Sequence, residues 1–409
     1  MHHIQGLKCV SCGKEYEQKG MQYLCPSCRG NLDVVYDYKA IATRLTRKSL
    51  AADRDLSVWR YWDLYPLTDR KNIMPLAIGW TPLYRAERLQ KRLGLKTLFL
   101  KDDGRMPSAS FKDRASSVAV CKALELKFKV IAGASTGNAA SSTACLCASL
   151  GISPTIFVPK TAPRAKVAQL LVFGARVFAV EGTYDQAFDL CGEVCAEYGW
   201  YNRNTGYNPY TREGKKSVSY EICEQLAWKV PDLVFVPVGD GNIISGVWKG
   251  FRDLLGVGLI DRLPRLVACQ STLSAAVANA VLSDGKIRPV QATTIADSIS
   301  VDLPRDGEAA VKAVRESKGT AVTISDEEIL KAIITIARGA GIFSEPAGST
   351  AYAGLEKLRA QGKVKDDETV VCLVTGNGLK DVASAMKVAG EPTPVAPSLE
   401  SLKALLKNK

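Results

Sequence analysis

Four cysteines near the N-terminus have the spacing of a metal site. Cys9 and Cys12 form one Cys-x-x-Cys pair, and Cys25 and Cys28 form a second. Each pair can direct two thiolates at one point, so the two pairs together complete a tetrahedral four-thiolate zinc site. A closed thiolate shell leaves no open position for a substrate. The pattern therefore predicts a structural zinc whose binding helps to fold the small segment around it.

A lysine among small and hydroxylated residues is the second chemical candidate. Lys112 lies in the stretch SASFKDR (108–114), just after an apolar run at 97–101. Taken alone, a lysine in this setting is usually a solvated residue at the start of a helix. The alternative is an amine that holds a cofactor, and three other loops of the chain favour it.

These three loops combine glycine with polar donors at the ends of apolar runs. They read ASTGNAA (134–140), PVGDGNIISG (237–246) and LVTGNGLKD (373–381). Glycine lets backbone N–H groups approach an anion closely, and the start of a helix supplies unpaired N–H groups. The second loop is neither a Walker A motif nor a full Gly-x-Gly-x-x-Gly fingerprint. Its Asp240 would repel a phosphate unless the carboxylate points away or caps the helix.

A polar segment at 201–217, YNRNTGYNPYTREGKKS, is dense in amides and cations. A surface loop is one interpretation. The other is an anion-binding segment for a substrate, because a guanidinium fork suits phosphate or carboxylate.

The composition excludes several classes of protein. The two histidines are His2 and His3, which excludes a histidine triad, metal site or proton shuttle unless the N-terminal end folds back. The net charge of +12 comes from cations spread along the chain, which disfavours nucleic-acid binding. We find no membrane span or export signal and expect a cytoplasmic protein. The cysteines outside the two pairs are interpreted as small buried side chains.

The elements that must position these loops alternate between short apolar runs and helices. The runs lie at 97–101, 129–132, 155–158, 176–180, 233–238, 266–269 and 369–374. This rhythm predicts an open, mostly parallel α/β fold, in which ligands gather at the carboxyl ends of the strands. A proline-rich linker and a short helix at 399–406 follow.

The motifs around Lys112, Asn138, Gly239 and Thr375 occur in the order found in the threonine synthase family of fold-type II pyridoxal phosphate (PLP) enzymes. The chain resembles this family over roughly 79–388, and a leading zinc-ribbon-like segment is similar to one in some members. The resemblance implies that Lys112 forms the Schiff base with PLP, Asn138 bonds the ring hydroxyl oxygen and Thr375 meets the pyridine nitrogen. The cofactor phosphate would be held by the turn of Gly239, Asp240, Gly241, Asn242 and Ile243. The substrate-binding residues would be Ser110, Ser135, Thr136, Asn138, Asn208, Arg212 and Lys215, of which Asn208, Arg212 and Lys215 would hold the substrate phosphate.

The resemblance also implies an activity, which is the conversion of O-phosphohomoserine and water to L-threonine and phosphate by γ-elimination and β-addition. Lys112 would be the proton carrier, since no histidine is at hand. The alternatives are a serine or threonine dehydratase, a cysteine or cysteate synthase-like β-replacement enzyme, or a zinc-ribbon binding module with an inactive body. A homodimer is expected on the same basis.

The implied architecture has four parts. A zinc-ribbon-like segment at 1–36 precedes a large PLP-binding domain, formed by 37–104 and 206–390. A smaller inserted α/β domain at 105–205 encloses the cofactor with it, and a linker and helix occupy 391–409.

Overall fold

The computed structural model describes residues 3–162 and 164–407. It begins with an antiparallel sheet in the order β2-β1-β3, formed by β1 (Ile4–Cys9), β2 (Glu15–Tyr16) and β3 (Leu32–Tyr36). Cys9, at the end of β1, lies opposite Leu32, at the start of β3. The turn that follows β1 and the turn that precedes β3 therefore meet, and these turns carry the two cysteine pairs.

The main body contains two further sheets. Its strands are, in chain order, β4 (Leu83–Arg85), β5 (Thr97–Asp102), β6 (Ile131–Ala134), β7 (Thr155–Pro159), β8 (Arg176–Val180), β9 (Tyr201–Asn202), β10 (Leu233–Pro237), β11 (Arg265–Ser271), β12 (Thr320–Ile324) and β13 (Thr369–Val374). The larger sheet has the order β12-β11-β10-β13-β5-β4, and the smaller has the order β8-β7-β6-β9. Neighbouring strands are parallel except for β4 and β5. The predicted mostly parallel α/β fold is confirmed.

Helices connect most of these strands. They are, in chain order, α1 (Tyr38–Ala42), α2 (Arg47–Ala52), α3 (Glu87–Leu93), α4 (Lys112–Glu125), α5 (Asn138–Ala148), α6 (Arg164–Val172), α7 (Tyr184–Tyr198), α8 (Tyr210–Lys215), α9 (Ser217–Gln225), α10 (Asn242–Gly256), α11 (Ala276–Leu282), α12 (Gly307–Glu316), α13 (Asp326–Ala340), α14 (Pro346–Ala360), α15 (Val382–Ala389) and α16 (Leu399–Lys407). Short 3-10 turns occur at Val58–Leu64, Arg70–Asn72, Asp103–Arg105, Asp297–Ile299 and Gly378–Asp381. In the part of the chain described, no helix is both long and apolar enough to cross a membrane.

The predicted strands match the observed ones with boundaries shifted by a few residues. The largest displacement is at β6, which is observed two residues later than the predicted run at 129–132. The sequence analysis does not predict β12, whose residues become a strand by pairing in parallel with β11, from Val267 opposite Thr320 to Ser271 opposite Ile324. The smaller sheet lies within the predicted inserted domain at 105–205.

Three helices bring their first turns to the same cavity. They are α4, α5 and α10, whose N-cap residues are Phe111, Gly137 and Gly241, and none of these residues makes a side-chain capping hydrogen bond. By contrast, α7 and α13 begin with full capping boxes. The first N–H groups of a helix have no carbonyl partner within it, so an uncapped end can bind an anionic ligand. The fold thus presents three such ends to one space.

Candidate active site

A cavity with a volume of about 680 Å³ lies at the carboxyl ends of β6 and β10. Its size is in the range of pockets that hold cofactors and small substrates. Most of the predicted site residues line it together: Lys112, Ser135, Thr136, Asn138, Lys215, Gly239, Asp240, Gly241, Asn242 and Ile243. The chain therefore brings the lysine motif and the first two glycine loops to one place.

Lys112 is the first residue of α4 and is fixed by its neighbours in the chain. The N–H of Phe111 donates to the carbonyl oxygen of Thr375 at 2.9 Å, and Ser110 forms a bridge with Gly376. The third glycine loop, at the end of β13, thus holds the backbone that carries the lysine. Burial lowers the pKa of the Lys112 amine. A buried amine with a lowered pKa is a suitable nucleophile and proton carrier near neutral pH.

Ser110 and Thr375 lie beside this junction. The hydroxyl of Ser110 is buried and has no hydrogen-bond partner among the described residues. Thr375 follows β13 directly and is 6% exposed. Buried hydroxyls are normally paired, so an orphaned one next to the lysine is a place for a ligand atom.

Asn138 is held by an acid that the sequence analysis does not predict. Its Nδ2 atom lies 2.8 Å from Oε1 of Glu345 and 3.3 Å from Oγ of Ser298. Glu345 in turn donates its backbone N–H to the carbonyl oxygen of Gly376 at 3.1 Å. Burial raises the pKa of the Glu345 carboxyl. The motif Glu345-Pro346 at the start of α14 is a helix-start signal that could have drawn attention to this residue.

The second glycine loop forms a tight turn into α10. Gly241 has a φ of +87°, and a Cβ atom there would lie 2.8 Å from the carbonyl oxygen of Asp306. Only glycine fits this position without strain. The Oδ1 atom of Asp240 accepts the N–H of Arg305 at 3.2 Å, and burial raises the pKa of the Asp240 carboxyl. The bond to Arg305 directs Oδ1 of Asp240 towards the backbone of that residue.

Two buried cations face this cavity together with Lys112. Arg203 donates to Oγ1 of Thr205 and Oγ of Ser116, both at 2.9 Å, and its Nε atom is buried with no partner among the described residues. The amine of Lys215 donates to Oδ1 of Asn242. Burial lowers the pKa of Arg203 to about 10. Burial also lowers the pKa of Lys215 well below its ordinary value, an effect that Lys112 reinforces.

Two residues predicted to hold the substrate phosphate lie outside the lining of this cavity. Arg212 is fully engaged, because its guanidinium bonds the carboxylates of Asp306 and Asp33. The amide of Asn208 donates to the carbonyl oxygen of Asn202 at 2.8 Å and accepts the N–H of Tyr210 at 2.9 Å. The amide of Asn208 thus holds the turn that leads into α8, and Arg212 links α8 to Asp306 and to β3. Of the three residues predicted to hold the substrate phosphate, Lys215 lines the cavity, together with Arg203, which the sequence analysis does not predict as a ligand.

The histidines take no part in this cavity within the described residues. The Nε2 atom of His3 lies 2.7 Å from the carbonyl oxygen of Tyr65, where the ring is buried. His2 lies outside the described residues.

The four cysteines are arranged as a metal site would require. Their Sγ atoms all lie within 4.8 Å of one another, with 3.5 Å between Cys9 and Cys28 and 3.7 Å between Cys12 and Cys25. A zinc ion about 2.3 Å from each of four sulfurs would place those sulfurs about 3.8 Å apart. The donor set therefore fits a tetrahedral zinc.

Comparison with solved structures shows the same fold in several enzymes. A processed threonine deaminase from Solanum lycopersicum has a TM-score of 0.67 and 23% identity, and the likeness covers 80% of this chain and 90% of that one. A serine racemase from maize has a TM-score of 0.63 and 21% identity, covering 80% of this chain and 93% of that one.

Comparison with protein sequences is more specific. The model of the family described as pyridoxal-phosphate dependent enzyme matches residues 74–376. A threonine synthase of Methanocaldococcus jannaschii is 38% identical, covering 98% of this chain and 99% of that protein. A threonine synthase of Methanosarcina acetivorans is also 38% identical, and the match covers 100% of both chains. With a family model matched over most of the chain and relatives matched over its whole length, this chain belongs to the threonine synthases of the pyridoxal-phosphate dependent enzyme family.

Proposed function

We propose that the protein converts O-phosphohomoserine and water to L-threonine and phosphate. Its membership of the family supports a PLP-dependent lyase that eliminates phosphate. The observation that carries the proposal is the group of three cations that line one cavity, Lys112, Arg203 and Lys215, none of which has an acidic salt-bridge partner among the described residues. The cofactor requires one amine, so two further cations remain. A substrate with its own phosphate supplies the negative charge that balances them.

The residues present fit PLP. Lys112 offers the amine for the aldehyde, and the uncapped start of α10 beyond Gly241 offers N–H groups for the phosphate. Asn138, oriented by Glu345, is the amide available to the ring hydroxyl. When bound, PLP withdraws electrons from the carbons next to the substrate amine, which makes their protons acidic.

Lys112 has two tasks in this proposal. At rest its amine holds the cofactor, and after exchange with the amine of the substrate it is free to accept and return protons. Burial lowers the pKa of this amine, which favours its neutral, proton-accepting form. The described residues offer no histidine in the cavity, so the lysine is the natural proton carrier for the α- and β-carbons.

The substrate carboxylate is assigned to the start of α5. Ser135 and Thr136 precede this helix and line the cavity, and Gly137 leaves its first turn uncapped. Hydroxyl and N–H donors converge there, next to Asn138, whose amide is held by Glu345. A carboxylate bound at this end also gains from the helix dipole.

The leaving phosphate is assigned to Arg203. In this assignment Lys215 lies between the leaving phosphate and the cofactor phosphate. The orphaned Nε of Arg203 can donate to a phosphate oxygen that no protein group supplies. The bond from Lys215 to Asn242 places this amine beside the turn that would hold the cofactor. A proton added at the γ-carbon forms the methyl group, water adds at the β-carbon, and Lys112 returns the proton to the α-carbon, which completes threonine.

We also infer that the four cysteines hold a structural zinc and that the protein forms a homodimer. The sulfur geometry supports the zinc. Metal analysis should give one zinc per chain, and light scattering should give twice the chain mass.

The test of the activity follows two products at once. The purified protein, loaded with PLP, is incubated with O-phosphohomoserine, and threonine and phosphate should appear in equal amounts. In parallel, borohydride reduction and peptide mapping should place the cofactor on Lys112. Ammonia and a keto acid from serine or threonine, with no threonine from O-phosphohomoserine, would favour a dehydratase and contradict the proposal.

A further inference from the structure

Behind the turn assigned to the cofactor phosphate, one buried carboxylate collects hydrogen bonds from several elements. The Oδ2 atom of Asp306 accepts Nδ2 of Asn242 at 2.8 Å and Oγ of Ser245 at 2.6 Å. Its backbone N–H donates to the carbonyl oxygen of Asp240 at 2.9 Å. Asp306 therefore binds both the turn and the first turn of α10, and its side chain is fully buried.

The other oxygen of this carboxylate is reached from the cysteine-bearing segment. Nδ2 of Asn31 lies 2.7 Å from Oδ1 of Asp306 and 2.9 Å from the carbonyl oxygen of Arg305. It also lies 3.0 Å from the carbonyl oxygen of Gly206. A single amide of the N-terminal sheet thus clamps the 305–306 loop onto the body. The same loop supplies the N–H that bonds Asp240.

Asn31 is tied closely to the cysteines. Its carbonyl oxygen accepts the N–H of Val10 at 2.9 Å, and the carbonyl oxygen of Gly30 accepts the N–H of Cys25 at 2.8 Å. A Cβ atom at Gly30 would lie 3.1 Å from Sγ of Cys9. The backbone that presents Asn31 is therefore packed between the two cysteine turns, and its position depends on their being held together.

The chain of contacts continues into the cavity. With its Nδ2 donating to Asp306, Asn242 directs its Oδ1 towards the amine of Lys215. Asp306 also forms a salt bridge with Arg212, which reaches back to Asp33 on β3. The N-terminal sheet therefore touches this network at two residues, and the network ends at a cation of the site.

We propose that Asn31 is a positioning residue for the cofactor phosphate. Through Asp306, the zinc-bound segment holds the Gly239–Ile243 turn and Lys215 in the phosphate-binding arrangement, so the affinity for PLP depends on this segment. The inference rests on the proposed binding of PLP at this turn. It gives the four-cysteine segment a role in cofactor retention in addition to a role in folding.

The experiment compares two variants with the wild-type protein. Asn31→Ala removes the amide that bonds Asp306. Ser11→Ala is the matched control, because it removes another bond between the same segment and the body, from Ser11 to Glu308. Cofactor-free samples of each are titrated with PLP and with pyridoxal, which lacks the phosphate, and binding is followed by absorbance. Zinc content and thermal unfolding are measured on the same samples.

We expect Asn31→Ala to weaken PLP binding roughly tenfold, as the loss of a hydrogen bond to a charged group does. Its affinity for pyridoxal should change less than about twofold, since the turn acts on the phosphate, and Ser11→Ala should match the wild-type protein. Unchanged PLP affinity in Asn31→Ala, or equal weakening of PLP and pyridoxal, would overturn the proposal.

A second arm removes the zinc from the holoenzyme with a chelator and follows release of PLP. The wild-type protein should release PLP faster without zinc, whereas in Asn31→Ala removal of zinc should add less than it does in the wild-type protein, because Asn31 is one of the two residues through which the segment reaches Asp306. Independent, additive effects would contradict the coupling. If the wild-type protein takes up no cofactor at Lys112, the proposed function fails as well, whereas a Lys112 adduct with no effect of Asn31→Ala overturns this inference alone.

Discussion

Arg203 and Arg212 lie nine positions apart in one polar segment, are both buried, and have opposite surroundings. Arg212 is paired with the carboxylates of Asp306 and Asp33. Arg203 lines the cavity with an orphaned Nε and has no carboxylate partner among the described residues. A buried cation with acidic partners stabilises the fold, while one without them is available to an anionic ligand.

The same contrast separates the cavity from a charge cluster beneath it. Arg114, two residues after Lys112, bonds Asp103 at 2.7 Å and Glu221 at 2.5 Å, and Lys101 bonds Glu221 at 2.7 Å. Burial alone would raise the pKa of Glu221, but Arg114 and Lys101 lower it to about 2. In the cavity burial prevails, and the pKa of Lys112 falls. The number of acidic partners that a buried cation has decides whether burial or pairing has the larger effect on its pKa.

The largest expected effect is the loss of turnover in Lys112→Ala. Because this residue would both hold the cofactor and carry protons, we expect kcat to fall at least about 10³-fold. Because Lys112 has no carboxylate salt bridge among the described residues, its replacement should leave the thermal midpoint of unfolding unchanged or raise it. Phosphate release and borohydride adducts are measured, with the exposed Lys48→Ala as control. A cofactor adduct that persists in Lys112→Ala would show that another amine does this work.

The next largest effect is on folding, in Arg114→Met. This change leaves Asp103 buried without its cation and Glu221 with Lys101 alone, so we expect the free energy of unfolding to fall by about 3–5 kcal/mol. Urea unfolding followed by circular dichroism gives the value. An unchanged free energy of unfolding would mean that the paired cluster contributes no more to stability than the cavity cations do.

Arg203→Gln should raise KM for O-phosphohomoserine by about 10- to 100-fold, since a guanidinium–phosphate contact is lost. Inhibition by inorganic phosphate should weaken in parallel, while PLP affinity and the urea midpoint stay near the wild-type values. Arg212→Gln is the matched variant, and it should lose stability while its folded fraction keeps the wild-type KM. If instead Arg212→Gln raises KM and Arg203→Gln lowers stability, Arg212 is the phosphate ligand.

A pH effect follows from the lowered pKa of Lys112 in the cofactor-free protein. Between that lowered pKa and the ordinary value near 10.5, the unfolded chain binds a proton that the folded chain does not. The lysine therefore makes the free energy of unfolding rise with pH in this window, by at most about 1.4 kcal/mol per pH unit. Urea unfolding of wild type and Lys112→Met from pH 7 to 10 isolates this contribution as the difference in slope. Equal slopes would mean that the amine titrates normally.

The smallest effect is expected where a pair is formed without burial. Arg288 and Asp284 form a salt bridge at 2.6 Å on the surface, where solvent and salt screen the charges. Arg288→Ala should leave the urea midpoint unchanged within error. A clear loss would show that pairing alone, without burial, distinguishes the stabilising cations.

The sequence predicts more of the fold than of the substrate site. Apolar runs followed by glycine turns predict most strands, because parallel strands buried on both faces are rich in apolar residues. β12 is not predicted, because Thr320 and Thr323 interrupt its apolar pattern and because its partner strand, β11, lies about fifty residues away in the chain. Arg212 is predicted as a ligand because a sequence shows a cation but not the acids that surround it, which are Asp33 and Asp306 in the structure.

By itself, the sequence determined the lysine, the glycine turns and the four cysteines, whose chemistry depends on residue type and local spacing. Only the tertiary structure decided which buried cations keep acidic partners and which face the cavity, since those partners are distant in the chain. The bond from Asn31 to Asp306 spans 275 positions. Pairing of this kind is a property of packing, and among the described residues it separates the buried cations that have acidic partners from those that face the cavity without one.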